Sequence, residues 1–326
     1  MSITDQITRL QNAKASIKAS IENKGVSVSD DTKLDEYSAL IDNIQTGGSG
    51  ETHVNPEFYE VRTQSGTTYK SLFSNDGNTA LDLSNWDTSK VTTMEDMFNS
   101  DTNVRTIKGL KNWDTSKVTS MYRMFYFCYS LTSFDLSGWN TSNVTNIGAM
   151  FYYCGSLTSV NLSGWNTSKV TSMPNTFDSC SSLTSINLSG WDTSKVTSMY
   201  GFFASCSNLV TVTGALDLSS LTEGFYYSST RNPVYSCKKL ETLYLKNIYK
   251  NCTMTNKSDW SINLGDTKIK DECLIYIINE LPDLVNDKGL TATDQIILTL
   301  PKANTLTAEQ VKVATDKGWT VANTTY

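Results

Sequence analysis

Apolar positions recur along the middle of this chain with a period far longer than a helix or a strand. Tryptophans fall at Trp86, Trp113, Trp139, Trp165 and Trp191, spaced 27, 26, 26 and 26 residues apart. Other positions keep phase with them. Five residues after each Trp stands Val91, Val118, Val144, Val170 or Val196, and twelve after stands Phe98, Phe125, Phe151, Phe177 or Phe203. In the last four units a cysteine follows at fifteen: Cys128, Cys154, Cys180 and Cys206. Each unit also carries a segment such as Leu131-Thr-Ser-Phe134-Asp-Leu136, whose last apolar positions alternate with period two and predict a half-buried strand. A W-[DN]-T-S turn follows, favoured by the side-chain to backbone bonds that Asp and Asn make. Val118, Met121, Met124 and Phe125, at spacings of three, three and one, predict a short helical turn. One coil is therefore expected to run strand, turn, helical segment, turn.

A single such coil leaves its apolar face in water; stacked coils cover one another at about 4.8 Å along a shared strand ladder, with like residue on like. A further partial coil stands at Cys237-Lys-Lys-Leu240-Glu-Thr-Leu243-Tyr-Leu245, after an irregular insertion from Asp217 to Tyr235. The fold class expected is an α/β repeat: a right-handed leucine-rich-repeat solenoid with a parallel strand ladder. The unit LTSxxLSGWxTSKVTSM…F…C resembles the BspA-like leucine-rich repeat of bacterial surface proteins, over about half the chain. That resemblance implies an adhesion or ligand-binding surface.

The ends read differently. Ser2 with Asp5 forms a capping-box pattern, and Ile3, Ile7, Leu10, Lys14, Ile17 and Ile21 alternate spacings of four and three up to Gly25. This heptad seam reads either as an oligomeric coil, with isoleucine at both core positions favouring a trimer, or as one arm of a helical hairpin covered by Leu34, Tyr37, Leu40, Ile41 and Ile44. The segment LQNAKASIKASIENKGVSVSDDTKLDEYSALID resembles the N-terminal module of tailed-phage virion proteins, and Gly47-Gly48-Ser49-Gly50 reads as a flexible linker. At the other end, Asp271 to Leu281 predicts a helix with Leu274, Ile277, Ile278 and Leu281 on one face. Ile296, Leu298 and Leu300 predict a strand, and Thr307 with Gln310 caps a last helix closed by Gly318. The expected layout is an N-terminal helical attachment and oligomerisation module at 1–46, a linker at 47–70, the solenoid at 71–250 and a C-terminal α/β cap at 251–326.

Composition narrows the chemistry. The formal net charge is −6, without the basic footprint of a nucleic-acid protein. No run of 18 apolar residues is present to span a membrane. The first ten residues have neither a basic n-region nor an apolar h-region, so export by a signal peptide is not expected. The sole histidine, His53, stands beside the linker, and no Ser-His-Asp or Cys-His set accompanies the repeats. The cysteine column has the period of a whole repeat, which suits small buried groups better than metal ligands, and cross-rung disulfides lie within reach of the strand spacing. The column Asp87, Asp114, Asn140, Asn166 and Asp192 suits turn capping better than calcium, since two members are amides. The tryptophan column reads as a buried corner. No catalytic residue, cofactor or metal is expected.

What departs from the ladder is the candidate ligand surface. The exposed strand positions are small and polar: Ser133, Asp135, Ser159, Asn161, Ser185 and Asn187. Beside them come variable tyrosines: Tyr122, Tyr126, Tyr129, Tyr152, Tyr153, Tyr200, Tyr226 and Tyr227. Tyrosine offers rigid contact area with a polar tip, suited to a host surface glycan or protein. With the module resemblance, the reading is a phage virion fibre or receptor-binding protein, tail- or capsid-mounted. It would assemble in the host cytoplasm, join other virion proteins through residues 1–46 and form a homo-oligomer. The alternatives are a bacterial surface adhesin and, less favoured, a polysaccharide-degrading enzyme.

Overall fold

The structure is a computed structural model that describes residues 18, 51–52, 79–84, 86–222, 232–252, 260–290, 294 and 296–323. The heptad residues Ile3, Ile7, Leu10, Ile17 and Ile21, the residues Gly47 to Gly50, His53, Tyr226 and Tyr227 lie outside the described residues. Within the expected linker 47–70, Glu51–Thr52 instead form a strand paired with Ala80 and Leu81, because their backbone extends the parallel ladder by one rung.

Eight short strands line one side of the repeat block: β1 (Glu51–Thr52), β2 (Ala80–Asp82), β3 (Thr106–Lys108), β4 (Ser133–Asp135), β5 (Ser159–Asn161), β6 (Ser185–Asn187), β7 (Thr211–Asp217) and β8 (Thr242–Lys246). Their pairings are parallel, and in register everywhere but between β7 and β8, with Leu81 beside Ile107, Phe134 beside Val160 and Ile186 beside Val212. The period-two expectation holds: Ile107 and Ile186 point into the core, while the residues on either side of each are exposed. The block is a parallel β-solenoid.

The predicted helical segment is not a helix. Residues 94–101, and their equivalents in later coils, form a ribbon of consecutive tight turns. Every second N–H leaves the coil: those of Met121, Arg123, Phe125 and Phe127 donate to the carbonyls of Asn146, Gly148, Met150 and Tyr152 in the next coil, at 2.8–3.0 Å. The N–H groups between them close short turns within the coil, such as Met124 to Met121 and Tyr126 to Arg123. This alternation requires a left-handed residue ten and fourteen positions after each tryptophan. Arg123, Phe127, Ala149, Tyr153, Asn175 and Ser179 accordingly have φ between 52° and 62°. Left-handed backbone is costly for such side chains, and two rows of inter-coil hydrogen bonds offset that cost. The apolar spacing of three and four that mimics a helix arises because Met121, Met124 and Phe125 all turn inward from the ribbon, where they are fully buried.

The interior is a set of columns. The tryptophan rings stack at 5.5, 6.3, 6.2 and 5.9 Å between centroids, with interplanar angles of 10° or less. The phenylalanines stack beside them at 5.2–5.6 Å. Phe134 fills the space between Phe125 and Phe151, at 4.9 and 5.6 Å. The tryptophan column is thus core, as expected, with every member less than 10% exposed.

Two glycines absorb the irregularities. The one 27-residue spacing places its extra residue between β3 and Trp113. There Gly109 takes φ +91°, and a Cβ would meet the Ser84 backbone at 2.5 Å. A short 3-10 turn, Leu110–Asn112, follows it. In β7 the register shifts between Thr211 and Ala215. Gly214, at φ +96°, lies so close to the Leu188 backbone that a Cβ would meet it at 2.8 Å.

Beyond β8 the described residues form a three-stranded parallel sheet and two helices. The sheet holds β9 (Ile262–Asn263), β10 (Ile297–Thr299) and β11 (Thr320–Ala322), with β10 central. The helices are α1 (Asp271–Glu280) and α2 (Ala308–Asp316). Leu274, Ile277, Ile278 and Leu281 are buried as their helical spacing predicts, and Ile296, Leu298 and Leu300 are buried along the strand. Thr307 and Gln310 form the full reciprocal capping box. α1 lies against β8, where Tyr276 meets Tyr244 edge-on at 5.2 Å. No helix among the described residues is long and apolar enough to cross a membrane.

Candidate functional site

Most side chains capable of chemistry are engaged in holding coil to coil. The thiols of Cys128, Cys154, Cys180, Cys206 and Cys237 are free and buried. Each donates to a phenylalanine carbonyl of the preceding coil, at 2.9–3.1 Å. Burial pushes these thiols well above their ordinary range, so they remain protonated donors. The column Asp87, Asp114, Asn140, Asn166 and Asp192 accepts the N–H of the serine two residues on, at 2.9–3.1 Å. These are the capping turns the W-[DN]-T-S motif predicts. The serine bonds hold the three carboxyls of that column below their ordinary value. Among the described residues, no three His, Cys, Asp or Glu side chains are grouped to hold a metal.

Sequence reasoning missed one column. Thr115, Thr141, Thr167 and Thr193, in the same motif, are buried, and each hydroxyl donates to the carbonyl of the Asx residue one coil on, at 2.9–3.1 Å. Phase alone did not reveal it: the serine next to it and the threonine four residues on keep the same strict phase, yet are half-buried and exposed.

The tyrosines behave differently. Thirteen and fourteen residues after Trp113 and Trp139 stand Tyr126-Phe127 and Tyr152-Tyr153; the same positions hold Asn99-Ser100, Asp178-Ser179 and Ala204-Ser205 in three other coils, and Tyr235-Ser236 in the coil that ends at Cys237. Two consecutive coils therefore replace small or polar residues by aromatic ones. Tyr126 and Tyr152 stack in parallel at 4.9 Å. Phe127 meets Tyr152 and Tyr153 edge-on at 5.6 and 5.2 Å, and Tyr129 meets Tyr153 perpendicularly at 6.3 Å. Tyr129 and Tyr153 remain 43% and 40% exposed, a large fraction for rings inside a cluster.

Charged groups bracket the patch. On one side the Arg123 guanidinium lies 4.8 Å from the Tyr122 ring centre and 4.9 Å from that of Tyr126. On the other side, the coil after Tyr152 places Asp178 in the tyrosine column, and its carbonyl accepts the Tyr153 N–H at 2.8 Å. Burial raises the Asp178 carboxyl to about 6, against a smaller opposing effect of its 2.8 Å bond from the Ser179 hydroxyl. Burial, and then the nearby Asp178 charge, push the Tyr152 phenol up to about 12.

Of the residues expected to bind, Tyr126, Tyr129, Tyr152 and Tyr153 come together, and Tyr122 joins through Arg123. Tyr200 occupies the Tyr122 column three coils further on, about 14 Å away at the usual strand spacing. Ser133, Asp135, Asn161 and Asn187 lie on the strand ladder instead. Asp135, Asn161 and Asn187 close the turn after their strands by accepting from Ser137, Ser163 and Ser189 at 2.9–3.1 Å. Asp135 also pairs with Lys111 at 2.7 Å, the main reason its carboxyl falls to about 2. Phe127, Arg123 and Asp178 were not foreseen as neighbours of the tyrosines.

The fold and this surface define a repeat-built parallel β-solenoid that carries an aromatic cluster where two adjacent coils depart from their own repeat. The family model described as "Mycoplasma protein of unknown function, DUF285" matches residues 67–161 and 132–233, together just over half of the chain. The chain belongs to this family, whose match covers the coils that resemble the BspA-like repeat. It matches no curated protein.

Proposed function

We propose that this protein is a non-catalytic recognition scaffold that contacts a cell surface through its solenoid. The supporting observation is the aromatic departure from the repeat at Tyr126, Phe127, Tyr129, Tyr152 and Tyr153. The ladder residues hold coil to coil, whereas the exposed rings of Tyr129 and Tyr153, clustered in two adjacent coils, serve nothing in that scaffold. The sheet and two helices after β8 would cap the solenoid, as stacked repeats require. In the finer form of this reading the chain is a phage virion fibre or receptor-binding protein. Residues 1–46 would attach it to other virion proteins and assemble it as a trimer, a role motivated by the heptad seam and by the resemblance of that segment to virion modules. A bacterial surface adhesin is the second reading, favoured by the DUF285 match, whose description names a Mycoplasma protein.

Fractionation of the producing culture tests both. Detection of the chain in purified particles supports the virion form, and detection in the cell envelope supports the adhesin. Adsorption of the full-length labelled chain to host cells tests the shared claim. A chain found only in the soluble cell interior and adsorbing to no cell would overturn both.

A further inference from the structure

Resting on the recognition role above, we propose that the patch formed by Tyr126, Phe127, Tyr129, Tyr152 and Tyr153, with Asp178 at its edge, is a saccharide-binding site. The patch is aromatic without being aliphatic: no Leu, Ile or Val takes part in it. An ordinary protein interface requires about 800 Å² per partner with a continuous apolar centre, and a few rings set among polar groups do not supply that. A pyranose ring asks for what is present. Its C–H face packs on the electron-rich face or edge of an aromatic ring, here the exposed Tyr129 and Tyr153. Its hydroxyls need planar polar groups that bond two neighbouring oxygens. Asp178, and Arg123 between Tyr122 and Tyr126, stand at opposite ends of the Tyr126–Tyr152 stack. The inter-coil hydrogen bonds of Arg123, Phe127 and Tyr153 hold the backbone beneath these rings, so little order remains to be imposed when a sugar docks. A neutral sugar suits the mixed signs better than an anionic one, because acid and base flank the rings together.

The repeat itself supplies variants that should fold. Phe127→Ser and Tyr153→Ser copy Ser100, Ser179 and Ser205, and Tyr129→Ser copies Ser181 and Ser207. The full-length chain would be titrated against a printed panel of neutral hexose and N-acetylhexosamine oligosaccharides. Wild type is expected to bind a subset. The triple serine variant should lose about tenfold or more in affinity, the scale of a removed aromatic anchor. Asp178→Asn alone, which keeps shape and needs no refolding of the patch, should weaken binding several-fold. Val285→Ser, an exposed apolar change in the C-terminal region, should leave it unaltered.

Cells supply the second arm. Periodate, which cleaves vicinal diols, should abolish adsorption of the chain, and protease treatment of the cells should not. Panel binding that is absent, or that survives the triple variant and Asp178→Asn together, overturns the proposal. Adsorption lost to protease but not to periodate also overturns it, in favour of a protein receptor. The two readings fail separately: cell adsorption without sugar binding leaves the recognition role standing, and sugar binding without cell adsorption leaves this site standing.

Discussion

The hydroxyl of Thr167 donates to the carbonyl oxygen of Asp192 at 3.0 Å and accepts the N–H of that same residue at 2.8 Å. One side chain thus satisfies both backbone groups of a residue 25 positions away and locks one coil's turn to the next. Thr141 does the same for Asn166, and Thr193 for Asp217. Thr167→Val keeps the shape and removes both bonds. The expected loss is about 1–3 kcal/mol, the cost of leaving buried polar groups unpaired. Thr167→Ser should retain most of the stability. Urea melts of the two variants would check this, and equal midpoints would show the hydroxyl column to be dispensable.

Trp165 is held on both sides, 6.2 Å from Trp139 and 5.9 Å from Trp191, and its Nε1 donates to the Leu136 carbonyl at 3.0 Å. Trp165→Ala should destabilise by about 3–5 kcal/mol, as large core truncations do. Chemical denaturation measures it; a change near zero would place the ring in solvent.

The folded-state carboxyl of Asp178, raised to about 6, binds its proton more tightly than the unfolded chain, whose value is 3.8. Stability should therefore rise as pH falls from neutral through about 6. Burial raises Asp96 as well and adds to the same trend. Asp87, Asp114, Asp135 and Asp192 are lowered instead, so their contribution holds above 3.8 and is lost only on further acidification. Melting temperature is expected to climb between pH 7.5 and 5 and to drop below about 4. Asp178→Asn should flatten the climb and spare the drop. A variant whose profile matches wild type would refute the assignment.

Gly109→Ala asks for a side chain at φ +91° with 2.5 Å to the Ser84 backbone. The coil holding the extra residue must shift, at a cost of about 1–3 kcal/mol or more. Gly190, also left-handed at φ +90° but with open space around it, isolates the purely conformational part, so Gly190→Ala should cost less. Thermal melts of the pair compare them directly.

Chelation should change neither stability nor adsorption, because the Asp and Asn columns bond the serines of their own turns. A melting temperature lowered by EDTA and restored by calcium would contradict this.

What the sequence determined by itself was whatever repeats in phase. Burial of the Trp, Val, Phe and Cys columns followed from apolar side chains held in strict phase; phase alone does not mean burial, since the equally invariant Thr119, Thr145, Thr171 and Thr197 are exposed. The parallel ladder followed from the need of one coil for the next, and the Thr307–Gln310 capping box followed from a contact three residues long. The turn ribbon was decided only in three dimensions. Met121, Met124 and Phe125 carry a helical spacing, and nothing local to Arg123, Phe127 or Tyr153 announces left-handed backbone. The bonds that stabilise that backbone come from carbonyls about 25 residues away, which exist only once the next coil has docked. The aromatic patch shares this origin. Its tyrosines were visible as departures from the repeat, but Asp178 meets Tyr152 only because stacking places residues 26 apart side by side, at the distance between neighbouring strands.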